Sequence, residues 1–225
     1  MKGIFENSAN TVPIIIVPIL TRPDILIDMI KSIDYKVKKI LVIDNGNNCR
    51  GLDVNNPFVK EIKVISLDHN LGVPGSWNLG IKANPFEKYW TFVNFDVTFV
   101  PGALREMNLE SDRKKLTLSN ATPPWCFFSI GAEVVKKVGL FDEKFVPAYF
   151  EDVDYERRCI HYQVEINRTR IFVNHNNSST IKNGFEQKNN RTFIENSKYM
   201  QDKIEKGDFS EGGWSLNRRL NLSWD

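Results

Sequence analysis

Residues Ile14–Val17 read Ile-Ile-Ile-Val without a polar interruption, between Pro13 and Pro18. A strand with one face in water alternates apolar and polar side chains. A run that is apolar at every position needs cover on both faces, the situation of a strand inside a parallel sheet with helices on either side. Further apolar runs at Lys39–Ile43, Ile62–Leu67 and Tyr89–Val93 repeat the theme. Helical segments separate them. Pro23 suits the first turn of a helix ending near Ile33, Pro74 or Gly75 opens a second that carries Trp77, Leu79 and Ile81, and Pro101 starts a short third. Strands alternating with helices predict an α/β fold with a mostly parallel sheet.

The second half is less regular. Leu116–Ser119, Trp125–Ile130, Val164–Ile166 and Arg170–Val173 read as strands, and Ala132–Val138, Phe150–His161 and Phe185–Lys206 as helices. With 225 residues the chain has room for one α/β domain, and neither a repeat nor a linker divides it. Net charge is only +2, which gives no electrostatic case for nucleic acid as a partner. Cys49, Cys126 and Cys159 are odd in number and lack metal-ligand spacing, which suits a reducing compartment. The apolar stretch Pro13–Leu20 is too short to span a bilayer. A soluble, cytoplasmic protein with no transmembrane segment is expected, with peripheral membrane association left open.

Ligands of a parallel α/β sheet bind beyond the carboxyl ends of its strands. Three polar clusters fall there: Thr21-Arg22, Asp44-Asn45, and Asn94-x-Asp96. Each alone reads equally as a turn. A diphosphate would be repelled by Asp96 alone, whereas a Mg²⁺ or Mn²⁺ ion held by that carboxylate reverses the interaction. The segment Asn70–Gly80 is rich in glycine and asparagine ahead of and within a helix, where backbone amides suit a phosphate or sugar oxygen. Glu151, Asp152, Asp154 and Glu156 put four acids into six residues. Those nearest the helix start serve equally as dipole caps, and one facing a cleft would deprotonate an acceptor hydroxyl; spacing does not choose which. His175 reads as a loop histidine, or as a metal ligand favouring Mn²⁺ if it faces Asp96.

In this order the clusters resemble the inverting, family-2-like glycosyltransferases of the GT-A fold. The matching motifs are Val17–Arg22, Val42–Gly46, Asn70-x-Gly72 with Asn78-x-Gly80, Asn94-x-Asp96, Gly139–Glu143 with Phe150–Asp154, and His175-x-x-Ser178-x-Thr180. The resemblance implies a single GT-A domain over 1–225: a nucleotide-binding part at about 12–100, an acceptor and catalytic-base part at about 101–206, and a tail at 207–225 carrying Trp214, Leu216 and Trp224. It implies transfer of a sugar from a UDP- or dTDP-sugar, with GDP possible, to a hydroxyl acceptor such as a glycan. Thr21, Arg22, Asp44, Asn78, Asn94 and Asp96 would contact the donor, Asp44 through the base. Asp96 and His175 would hold Mn²⁺ or Mg²⁺, and Asp152 would be the catalytic base. Trp125, Asp142 and Glu151 would border the acceptor. One departure is Asn94, where the family's motif begins with aspartate.

Two alternatives bear on this reading. A sugar-1-phosphate nucleotidyltransferase needs a glycine-rich loop after the first strand, and Pro18–Arg22 contains no glycine. A non-catalytic nucleotide-sugar or glycan-binding module would keep the pocket but has no use for Asp152.

Overall fold

The structure is a computed structural model that describes residues 10–176 and 186–211, with side chains from residue 190 onward in the second stretch. Ser178, Thr180, Trp214, Leu216 and Trp224 lie outside the described residues. The run singled out above becomes β1 (Ile15–Ile19), which pairs in parallel with β2 (Ile40–Asp44) on one side and β4 (Tyr89–Val93) on the other. β3 (Ile62–Ser66) extends the sheet beyond β2. On the far side β7 (Phe127–Gly131) runs antiparallel to β4, followed by β6 (Lys115–Leu118) and β8 (Glu165–Arg168). The seven-stranded order is β3-β2-β1-β4-β7-β6-β8, mixed and mostly parallel as expected.

Every residue of β1 is buried because alternate side chains feed two cores. Ile15, Val17 and Ile19 pack with Leu26, Met29 and Ile30 of α1 (Pro23–Lys31). Ile14 and Ile16 face Trp77 and Ile81 of α2 (Gly72–Lys82) together with Phe92, Phe128 and Phe141. Aromatic rings fill this second core, with Trp77 4.8 Å from Phe141 and Phe92 stacked 4.8 Å from Phe128. Gly80 lets α2 close onto β1, since a Cβ there would sit 2.6 Å from the Ile16 side chain. The remaining helices are α3 (Ala103–Glu110), α4 (Ala132–Val138), α5 (Glu151–His161) and α6 (Glu186–Glu205).

Among the boundaries that differ from expectation, three have a local structural reason. α2 starts at Gly72 because Asn45 and Asn70 accept the Leu71 and Gly72 amides. β7 starts at Phe127, after a single 3-10 turn at Pro124–Cys126. The strand expected at Arg170–Val173 instead forms as β9 (Val173–His175), because the Ile171 carbonyl accepts the Asn120 amide. Its antiparallel partner is a strand the sequence pattern did not suggest, β5 (Val97–Phe99).

α6 carries polar residues on its inner face. Thr192, Asn196 and Lys203 are all buried, at spacings that share one side of a helix. The Lys203 ammonium lies 2.7 Å from Asp142 and 2.9 Å from Asp154, and Asp154 also pairs with Arg158 at 2.8 Å. All four are at most 1% exposed, so two acids and two bases balance out of contact with water. Truncating one member leaves a buried charge uncompensated, which is far costlier than the net worth of the pair. Lys203→Met should therefore lower the unfolding free energy in urea by about 3–5 kcal/mol. A loss no larger than that of an exposed ion pair would show that α6 is held by something else.

Candidate active site

The carboxyl ends of β1, β2 and β4 share one edge of the sheet. Past β1, Arg22 adopts a left-handed conformation (φ 61°), and its guanidinium lies on Asp24 at 2.6 Å, at the surface. The Thr21 hydroxyl is buried with no hydrogen-bond partner among the described residues. Past β2, the Asp44 carboxylate is wholly buried and accepts the amides of Gly46, Asn48 and Cys49 and the Ser66 hydroxyl, at 2.8–3.2 Å. Those four bonds occupy both oxygens. Asp44 therefore shapes the turn and leaves no free acceptor for a base in this conformation. Gly46 is needed in that turn because a Cβ would lie 1.9 Å from the Leu20 carbonyl oxygen.

The expected anion cradle at the start of α2 is corrected. The first amides are consumed internally: Leu71 by Asn45, Gly72 by Asn70, and Val73 by the Pro147 carbonyl at 2.7 Å. Pro74 has no N–H to offer. Asn78, expected at the donor, is tied into the interior of the protein. It is fully buried, accepting the Phe141 amide and donating to the Phe141 carbonyl and to Glu143, each at 2.9 Å. Its side chain latches α2 to the segment before α5.

Past β4, the short β5–β9 ribbon pairs Val97 with His175 and so carries that histidine to Asp96. His175 Nε2 lies 3.1 Å from Asp96 Oδ1 and 3.5 Å from the Asn94 amide, and Nδ1 lies 3.3 Å from the Thr122 carbonyl. Burial opposes charge on the ring, but Asp96 and the neighbouring Cys126 outweigh it and push its pKa up to about 10. An imidazole with acceptors at both nitrogens is satisfied as imidazolium, or with Nδ1–H on the carbonyl and Nε2 on a cation. The donor set thus fits a divalent ion, which Asp96 and His175 would hold. No cluster of three or more histidine, cysteine or acidic side chains able to hold a metal exists among the described residues.

At the start of α5, Tyr149 (φ 82°) and Phe150 (φ 73°) are both left-handed, an arrangement that costs non-glycine residues about 1–3 kcal/mol each. Asp152 is half-buried and accepts its neighbour's amide, from Val153, at 2.8 Å. Burial, with a smaller push from Glu156, raises its pKa above the usual carboxylate range. Asp152 lines a cavity of about 550 Å³ with Pro124, Trp125, Arg157 and Phe209. Asp96 is not among the residues lining that cavity. Both carboxylates are nevertheless tied to segment 122–126: Thr122 meets His175, the Cys126 carbonyl accepts the Asn94 amide, and Pro124 and Trp125 share the cavity with Asp152.

Trp125 is mostly core, edge-on to Phe128 at 4.7 Å, with only a margin in the cavity. Asp142, expected beside the acceptor, lies in the interior. It is fully buried, accepting from Tyr199, Lys203 and the Lys144 amide. Glu151 points inward, 6% exposed, with Oε2 lacking a hydrogen-bond partner among the described residues.

Residues 14–128 match the family described as glycosyl transferase family 2. The catalytic domain of Drosophila beta1,4-galactosyltransferase 7, in complex with xylobiose, shares the fold with a TM-score of 0.53 at 12% identity, over 75% of this chain and 71% of that one. Residues 1–349 of S. aureus TarS superpose with a TM-score of 0.51 at 14% identity, over 70% of this chain and 58% of that one. No curated protein matches the chain. The chain belongs to glycosyl transferase family 2, and its sheet is GT-A-like. No helix of the described residues is long and apolar enough to cross a membrane.

Burial, and then the charge of Asp152, push the Glu151 carboxyl up to about 8. The folded protein thus holds this proton more tightly than the unfolded chain does. Its contribution to stability is complete below the ordinary value of 4.5 and is lost as pH rises through about 8. Glu151→Gln keeps the shape and removes the titration. Its urea midpoint relative to wild type should rise steadily from mildly acidic to mildly alkaline pH. A constant difference across that range would show that Glu151 ionises without penalty.

Proposed function

We propose that the chain is an inverting glycosyltransferase that moves a sugar from a UDP- or dTDP-sugar to a hydroxyl of a saccharide acceptor. The observation that carries this is the Asp96–His175 contact at 3.1 Å, with the second ring nitrogen on a backbone carbonyl. A metal-ligating histidine is commonly oriented in that way. Asp96 and His175 would hold Mn²⁺ or Mg²⁺, which when bound neutralises charge on the leaving diphosphate. Asn94 adds a neutral side chain beside them, and Thr21 and Arg22 border the nucleotide. Asp44 acts by holding the 45–49 turn against which the base would lie.

Asp152 takes the proton from the attacking hydroxyl. Burial raises its pKa above the usual carboxylate range, which improves it as a base. Displacement from the face opposite the leaving group inverts the anomeric carbon, and one base suffices because no covalent intermediate forms. The cavity beside Asp152 and Trp125 offers room for the acceptor. A saccharide acceptor is supported by the galactosyltransferase of shared fold, described as bound to xylobiose. Three buried, free cysteines support a cytoplasmic setting.

Thermal unfolding with a panel of UDP-, dTDP- and GDP-sugars, with and without Mn²⁺, tests the donor and the metal together. A cognate pair at about 100 times its dissociation constant adds about 2.7 kcal/mol, a rise of roughly 5–10 °C for a chain of this size. His175→Ala should abolish the Mn²⁺-dependent part. Stabilisation that is indifferent to Mn²⁺ would remove the metal from the proposal. Asp152→Asn should keep the thermal shift and lose donor turnover by about a hundredfold or more. Equal turnover in that variant would favour a donor-binding site with another base, and stabilisation without any turnover by wild type would favour a binding module.

A further inference from the structure

We infer that Asn196 of α6 is a positioning residue for Asp152, acting through the two left-handed residues that precede α5. The inference rests on the reading of Asp152 as the base. Tyr149 and Phe150 are consecutive, neither is glycine, and both hold φ values that such residues leave unless their surroundings over-determine them. They lie directly before the Glu151-Asp152 pair, and the Phe150 carbonyl accepts the Asp154 amide at 2.9 Å to begin the helix. A return of either residue to negative φ would therefore rotate the first turn and swing Asp152 away from its place on the cavity wall.

The described residue whose side chain opposes that return is Asn196, 5% exposed and four residues past Thr192 on the same buried face. Its amide donates to the Ala148 carbonyl at 2.8 Å and to the Tyr149 carbonyl at 3.2 Å, bracketing the first strained residue. Phe193, one turn earlier, packs its ring 5.5 Å from Tyr149 and 5.1 Å from Phe150. Lys203, two turns later, anchors the same helix to Asp142 and Asp154. α6 thus grips the polypeptide on both sides of the base, behind it through Asn196 and beneath it through Lys203. The family match ends at residue 128, so this grip comes from a part of the chain that the match does not cover.

The shape of Asn196 can be kept while its donors are removed. Asn196→Asp places acceptors against the two carbonyls, and Asn196→Gln restores an amide. Both are to be compared with wild type by hydrogen exchange and by turnover of whichever nucleotide sugar in the panel stabilises wild type. In Asn196→Asp, amides 151–154 should exchange at least about tenfold faster while β1, β2 and β4 keep their protection. The same variant should lose about 10–100-fold in kcat, the scale expected when a catalytic group is misplaced by an ångström, with the donor KM and the Mn²⁺-dependent thermal shift retained. Asn196→Gln should recover part of both. Unchanged exchange at 151–154 would overturn the inference. So would exchange that quickens throughout the protein, or a loss expressed in donor KM, since each marks Asn196 as an ordinary core contact. Absence of turnover by wild type would count against the proposed reaction alone, and the exchange pattern would still decide whether Asn196 holds the segment.

Discussion

The buried charge cluster of Asp142, Asp154, Arg158 and Lys203 is the constraint on which the second half of the molecule depends. Ion pairs removed from water add little net stability compared with apolar packing, but they tolerate few arrangements. Each acid here has a partner it cannot lose, and the four residues come from three separated pieces of chain: the loop before α5, α5 itself, and α6. α5 and α6 can accordingly meet in few registers. That register brings Asn196 to the carbonyls ahead of α5 and keeps Asp152 on the wall of its cavity.

The first half is organised differently. β1 is buried on both faces, and its side chains alternate between two cores that close the sheet from either side. Turns at the carboxyl edge are then tightened by their own polar residues, Asp44 and Asn45 above all. Such turns are rigid without ligand, because the groups that shape them are already satisfied within the protein. In the proposed reaction the chemistry would fall to groups with capacity to spare, namely Asp96, His175 and Asp152, all neighbours of segment 122–126. Placing reactive groups on a scaffold whose own hydrogen bonds are complete limits the reorganisation needed when substrate binds.

Asn78 and Asp142 show how residues of family motifs can be built into the interior. Both stand in segments that resemble family motifs, and both are fully buried with three hydrogen bonds each inside the protein. Their service to the site is indirect, since one latches α2 to the 139–145 segment and the other anchors α6. A polar residue in a functional motif can be there to hold its neighbours, and only its partners reveal which.

By itself the sequence determined the α/β class, the central strands and the order of polar turns along the sheet edge, because these follow from local patterns: apolar runs, helix starts and turn residues. It also singled out Asp96, His175 and Asp152, through the spacing of family motifs. Tertiary structure alone decided that Asp96 and His175 meet, 3.1 Å apart, and that Asp152 lines a cavity with Trp125. β5 and β9 are three residues each, too short to show a period, yet their pairing is what carries His175 across the chain to Asp96. The inner face of α6 was illegible for the opposite reason. Threonine, asparagine and lysine at helical spacing look like a solvated surface until their partners, distant in sequence, are brought opposite them. Contacts between residues far apart in the chain leave no local trace, and at this site those are the contacts that set the geometry.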